Sequence, residues 1–132
     1  ADVRALRVQD FESVEKTLNE KVKNKKLADS QVGVKFEVRR PPLAANDASK
    51  NLAEQAQAIY KNELNIPLTV SLTPTGGGTD AAFAGVKSKA AIIEGMGLSG
   101  DGAHSSNAEY ILKDTIVPRL YLATRLIVEV SK

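Results

Sequence analysis

The 132-residue sequence has no cysteine and no tryptophan, one histidine and one methionine. The absence of cysteine excludes disulfides, thiolate zinc sites and a cysteine nucleophile. A single histidine excludes any metal site that takes two histidines from this chain alone. No apolar run approaches the roughly 18 residues that a membrane-spanning helix needs. An excess of one charge is also missing: 18 basic residues stand against 16 acidic ones, a net +2. That balance lacks the basic footprint of a nucleic-acid binder. Aromatics make up only 5%, yet 42% of residues are hydrophobic and 26% charged. Such a composition can bury a core, and the length suits a typical single domain. No signal-peptide pattern is visible. The first residue is Ala1 rather than methionine, and the chain is expected to be processed, trimmed or cut from something longer.

The periodicities present predict alternating strands and helices. Ala1 to Arg7 alternates apolar and charged residues, which predicts a short strand with one wet face. Asp10 is a candidate helix N-cap, and Phe11, Val14, Leu18 and Val22 fall on one helical stripe behind it. The helix ends in Lys23, Asn24, Lys25 and Lys26, which complement a helix C-terminus or form an anion or membrane patch. Val32, Val34, Phe36 and Val38 alternate with polar residues and predict a second strand, stopped by Arg40-Pro41-Pro42. Two strands and one helix expose too much apolar surface to be a finished domain. Leu43 to Ala48 is turn-rich and marks the expected boundary.

Beyond it, Ser49 is a candidate cap for a helix with Leu52, Ala56, Ile59, Tyr60 and Leu64 on its inner face. Ile66 to Leu72 alternates as a strand would, and Ala81 to Ala84 is a small helical run. Ala90 to Glu94 predicts a short apolar strand, and Gly95 to Ser106 a loop with four glycines and the histidine. Glu109 to Leu112 looks extended. Asp114 or Thr115 is expected to cap a last helix with Pro118 in its first turn and Leu120, Tyr121, Leu126, Ile127 and Val130 among its apolar residues.

Three places carry residues suited to chemistry. Thr75-Gly76-Gly77-Gly78-Thr79-Asp80 joins a predicted strand to a helix start. Glycines admit close approach of a ligand to backbone, and free amides there favour an anion such as phosphate or carboxylate. No lysine follows in the P-loop place, and the spacing is not that of the dinucleotide fingerprint. A tight turn with Thr79 or Asp80 as a cap is the competing reading. His104 sits in the glycine-rich Gly100 to Ser106 loop, where a neutral imidazole suits a metal or is simply exposed. One donor cannot complete a zinc site, and Ser105 and Ser106 lack a nucleophile elbow. Arg4 and Arg40 close two predicted strands, and their forks suit either a ligand carboxylate or a surface ion pair.

Taken in order, Ala1-Asp2-Val3-Arg4, Arg40-Pro41, Thr75 to Ala82 and His104-Ser105-Ser106-Asn107-Ala108-Glu109-Tyr110 resemble the C-terminal part of the M20-type dizinc exopeptidases. Within that family the likeness is to bacterial glutamate carboxypeptidases and covers essentially the whole chain. The resemblance implies an α/β fragment. Residues 1–42 would be the closing β-α-β part of a ferredoxin-like lid and dimerisation domain, and 43–132 the C-terminal part of the catalytic domain. It implies two zinc ions in the intact enzyme, with His104 as a terminal metal ligand. Thr75, Gly76, Gly77 and Gly78 would hold the substrate's C-terminal carboxylate together with Arg40. Arg4 would reach the substrate on lid closure or from a partner subunit.

The implied reaction is hydrolysis of a C-terminal glutamate from a peptide or acyl-amino acid. The other ligands and the general-base glutamate belong, in this family, to an N-terminal segment that the 132 residues do not include. No catalytic residue is therefore assigned here, and the chain alone is expected to be inactive and not to hold zinc tightly. Its implied partners are that missing N-terminal part, the acidic substrate and a second copy in a homodimer, with no nucleic acid and no membrane. A cytoplasmic and a periplasmic or secreted location in a bacterium both stay open. The alternatives are a free-standing, non-catalytic module that binds an anion at Gly76–Gly78, and a structural or regulatory piece that dimerises through a strand edge.

Overall fold

The computed structural model describes residues 1–71 and 73–132. Among them are four helices and one small antiparallel sheet, an α/β arrangement rich in helix and poor in strand. The chain divides into two compact units: Ala1–Ala44 with Thr73–Lys89, and Ala45–Leu72 with Ala90–Lys132.

In the first unit, α1 spans Val8–Lys21. Its start differs from expectation. Arg7 is the N-cap, and Asp10 acts from the third helical position, accepting from the Arg7 backbone N–H at 3.1 Å and from its guanidinium at 2.8 Å. The guanidinium holds the Asp10 carboxyl below its usual range. The predicted stripe turns inward: Phe11 is buried and Val14, Leu18 and Val22 are half-buried. Phe11 meets Phe36 with ring centroids 6.2 Å apart in a tilted arrangement, within the range of favourable aromatic pairs. The two flanking strands predicted at 1–7 and 32–38 do not form ladders. Period-two patterning reports which side chains want burial, and Val34 and Phe36 are half-buried as it requires. It does not supply a hydrogen-bonding neighbour, and Val32 and Val38 stay exposed. A short helix, α3, covers Ala81–Lys87 and buries Ala82.

In the second unit, α2 spans Asp47–Leu64. Asn46 rather than Ser49 is its cap, accepting from the Ser49 N–H at 2.7 Å. Ser49 is instead buried in the first turn, and its hydroxyl accepts from the Ile92 N–H at 2.9 Å. That bond holds the 90–94 segment, predicted as a strand, with no ladder of its own. The helix ends at Asn65, a left-handed C-cap with φ 55°. Residues 66–71 also lack a ladder; Leu72, the last residue of that predicted strand, lies outside the described residues. Gln57 donates to the Leu68 carbonyl at 2.9 Å and ties this segment to α2.

The final helix, α4, covers Ile116–Val130 after a 3-10 turn at Lys113–Thr115. Thr115 is its N-cap without a side-chain capping bond, and Pro118 falls in the first turn as expected. Leu122 and Leu126 of α4 pack on Ala56, Ile59 and Tyr60 of α2, with Leu52, Leu64, Leu68, Ile93 and Met96 around them. Leu120, Ile127 and Val130 are exposed instead, because α4 is apolar around most of its circumference and only one face meets α2. A polar clasp closes the edge of this pair. Arg125 makes a two-pronged contact with Glu63 at 2.8 and 2.9 Å, and the Tyr121 hydroxyl donates to the same carboxylate at 2.5 Å. These donors lower the Glu63 carboxyl to about 2.

Candidate functional site

The 73–80 segment carries no regular structure, and it draws two arginines from the front of the first unit. Arg4 lies against Gly76: a Cβ there would stand 3.3 Å from its NH1 nitrogen. Arg40 lies against Gly78, where a Cβ would stand 2.6 Å from NH1 and 3.3 Å from Cδ. The bare glycine surface is what admits each guanidinium so close to the main chain. Thr75 folds over Gly77, its hydroxyl 3.5 Å from where a Cβ would be. The six residues Arg4, Arg40, Thr75, Gly76, Gly77 and Gly78 therefore occupy one neighbourhood.

The loop's other partners hold the arginines. The Arg4 guanidinium pairs with Asp2 at 3.1 Å. The Arg40 NH2 donates to the Asp80 carboxylate at 3.2 Å, and its Cζ stands 5.9 Å from the centre of the Phe83 ring. Asp80 occupies the N-cap of α3, yet its side chain makes no capping bond. A cap role for that carboxylate is thus replaced by an ion pair. With seven residues, α3 has too short a dipole to draw an anion by itself, so the positive charge here comes from the guanidiniums. Both pairs are exposed: Arg40 and Asp80 side chains retain 43% and 92% of their accessible surface. Exposed pairs contribute little and exchange readily, so the forks remain open to another carboxylate. Phe83 and Asp80 went unnoticed in the sequence as partners of Arg40. Forty positions separate Arg40 from Asp80, and no local pattern expresses such a pairing.

His104 belongs to the second unit. β1 (Gly100–Asp101) pairs with β2 (Tyr110–Ile111) in an antiparallel ladder, with Gly100 opposite Ile111 and Asp101 opposite Tyr110. The connection between them runs over residues 102–109. Gly102 has φ +74°, and a side chain on it would collide with the Ala108 carbonyl, as one on Gly100 would with the Tyr110 carbonyl. The Ser105 N–H closes the turn on the Gly102 carbonyl at 2.9 Å. His104 stands exposed in this turn with φ 69°, in the left-handed region that histidine visits more readily than most residues. Among the described residues no group of three His, Cys, Asp or Glu side chains is placed to hold a metal ion. The donors of this chain alone, with one imidazole among them, do not fit a dimetal centre.

The chain belongs to the peptidase family M20/M25/M40, whose model matches residues 5–129. It is similar to carboxypeptidase G2 of Pseudomonas sp. (strain RS-16), with 44% identity over 131 residues, 99% of this chain. The chain spans 31% of the length of that relative.

Proposed function

We propose that this chain supplies the grip for the substrate's terminal carboxylate, and one metal-ligating imidazole, to a zinc-dependent exopeptidase that removes a C-terminal glutamate from a peptide or acyl-amino acid. The observation that carries the reading is the convergence of the Arg4 and Arg40 guanidiniums on Gly76 and Gly78 of one loop. Guanidinium forks bind carboxylates by paired, charge-assisted hydrogen bonds, and glycines leave room for the ligand's oxygens beside the main chain. Family membership and the carboxypeptidase relative support hydrolysis at a chain end.

In this reading His104 would be the one donor from this chain to the intact enzyme's zinc, whose chemistry would be to polarise the scissile carbonyl and acidify water. This chain orients the acidic end of the substrate through Arg40, Thr75 and Gly76–Gly78, with Arg4 as a second cation. His104, exposed in the turn after Gly102, supplies one imidazole donor. The general base and the remaining ligands come from a further segment of the enzyme, so the 132 residues alone turn over no substrate. Residues 1–42 belong to a lid and dimerisation domain and 43–132 to the catalytic domain, with a homodimer as the assembled form.

Calorimetric titration of N-acetyl-L-glutamate into the chain tests the grip. Arg40→Ala is expected to weaken binding roughly tenfold or more, since a charge-assisted bond is worth about 1.5–3 kcal/mol. Equal affinity for the two proteins would overturn the reading.

A further inference from the structure

Phe83 is a large aromatic side chain left half exposed, at 50%, on a helix of seven residues. Its ring lies under the Arg40 guanidinium, with Cζ 5.9 Å from the centroid, within cation–π range. The same guanidinium meets Asp80 through NH2 and Gly78 through NH1. These neighbours use different parts of the group. Asp80 takes an N–H donor of the fork, whereas Phe83 turns its ring face to Cζ and takes none of those donors in an ordinary hydrogen bond. A ligand carboxylate must also bind along the edge, because that is where the donors point. Asp80 and the ligand therefore compete for Arg40, whereas Phe83 and the ligand do not. While the carboxylates exchange, the ring is the contact that keeps its hold.

We infer that Phe83 is a positioning residue for Arg40, a shelf that keeps the fork over the Gly76–Gly78 loop while an incoming carboxylate replaces Asp80. This rests on the carboxylate-grip reading above. The ring adds no charge and no hydrogen bond to the ligand. Its contribution is to reduce the orientations Arg40 must give up on binding, which is where preorganisation raises affinity. The short distance from Asp80 to Phe83 in sequence means that one helix start delivers both the exchangeable partner and the fixed one.

The test compares the full 132-residue chain with Phe83→Leu and Phe83→Tyr, following the Arg40 side-chain NMR signals while N-acetyl-L-glutamate is added. Aromatic ring current is expected to displace the Arg40 signals upfield in the unmodified chain and in Phe83→Tyr, and not in Phe83→Leu. Phe83→Leu is expected to weaken binding of the probe about threefold, with Phe83→Tyr restoring it. Phe83→Met, close in volume and without a ring, takes the place of the leucine variant if backbone amide spectra show that one unfolded. Identical Arg40 signals with and without the ring, or unchanged affinity in the ring-less variant, would overturn the inference. An unmodified chain that shows the ring-current displacement but does not bind the probe would overturn the grip reading, and the positioning role with it, while the Phe83–Arg40 contact stood.

Discussion

Arg40 meets three neighbours of different hardness. Asp80 is an exposed ion pair, Phe83 a face contact, and Gly78 an absence of side chain that NH1 fills. The last is the easiest to probe. In Gly78→Ala the new methyl would stand 2.6 Å from NH1, so one of the two must move. The far end of an arginine moves at small cost, and Gly78 has no left-handed φ, so stability is expected to change by no more than about 0.5 kcal/mol. Affinity for N-acetyl-L-glutamate is expected to fall several-fold because the fork is pushed off the loop. A thermal melt and a binding titration on the same sample separate the two effects.

Glu63 gives a second residue-scale prediction. Its carboxyl lies at about 2 in the folded chain against 4.5 ordinarily, through the hydrogen bonds from Arg125 and Tyr121. A carboxyl lowered by folding stabilises the fold above its unfolded value and ceases to do so as protons bind it in the folded state. Stability is therefore expected to decline as pH falls from about 4.5 to about 2. Chemical denaturation of Glu63→Gln across that window should show a shallower decline than the unmodified chain.

At the scale of elements, helices were legible in the sequence and strands mostly were not; the extended reading of 109–112 holds, as β2. The stripe of Phe11, Val14, Leu18 and Val22 marked α1, and the Leu52 to Leu64 face marked α2, because a helix satisfies its own backbone and needs only one apolar face. A strand needs a neighbour. The segments at 1–7 and 32–38 carry the right alternation, and 90–94 a short apolar run, yet none has a ladder. On α4 the sequence could not distinguish Leu122, fully buried, from Leu120, 66% exposed, since both are leucines on a helix apolar on several sides. The paired element that did form, β1 with β2, depends on glycines. Gly102→Ala would combine a side chain at φ +74° with a collision against the Ala108 carbonyl. A cost of roughly 1–3 kcal/mol is expected, confined to this hairpin. Amide hydrogen exchange should accelerate at 100–111 and leave α2 and α4 unchanged.

For the molecule as a whole, the site was legible only in part. Arg4 and Arg40 stood out as strand-end arginines and Thr75–Gly78 as a glycine-rich junction before a family resemblance gave them a shared role, and the structure sets the arginines on the glycines. The supports of Arg40 were invisible because they are contacts across 40 positions or more, which neither period nor spacing encodes. The Glu63–Arg125 clasp, 62 positions apart, was hidden for the same reason. His104 was visible as the sole histidine, and its left-handed turn was not, because that geometry is set by Gly102 and the ladder behind it.

In the proposed grip, Arg4 and Arg40 act together on a carboxylate at the glycine loop. Side-chain NMR of the arginine Nε–H groups tests this most directly, with N-acetyl-L-glutamate compared against its uncharged diamide. The acid is expected to move the Arg4 and Arg40 signals together along one saturable curve, and the diamide to move neither. Signals that ignore the acid, or respond equally to the diamide, would contradict it.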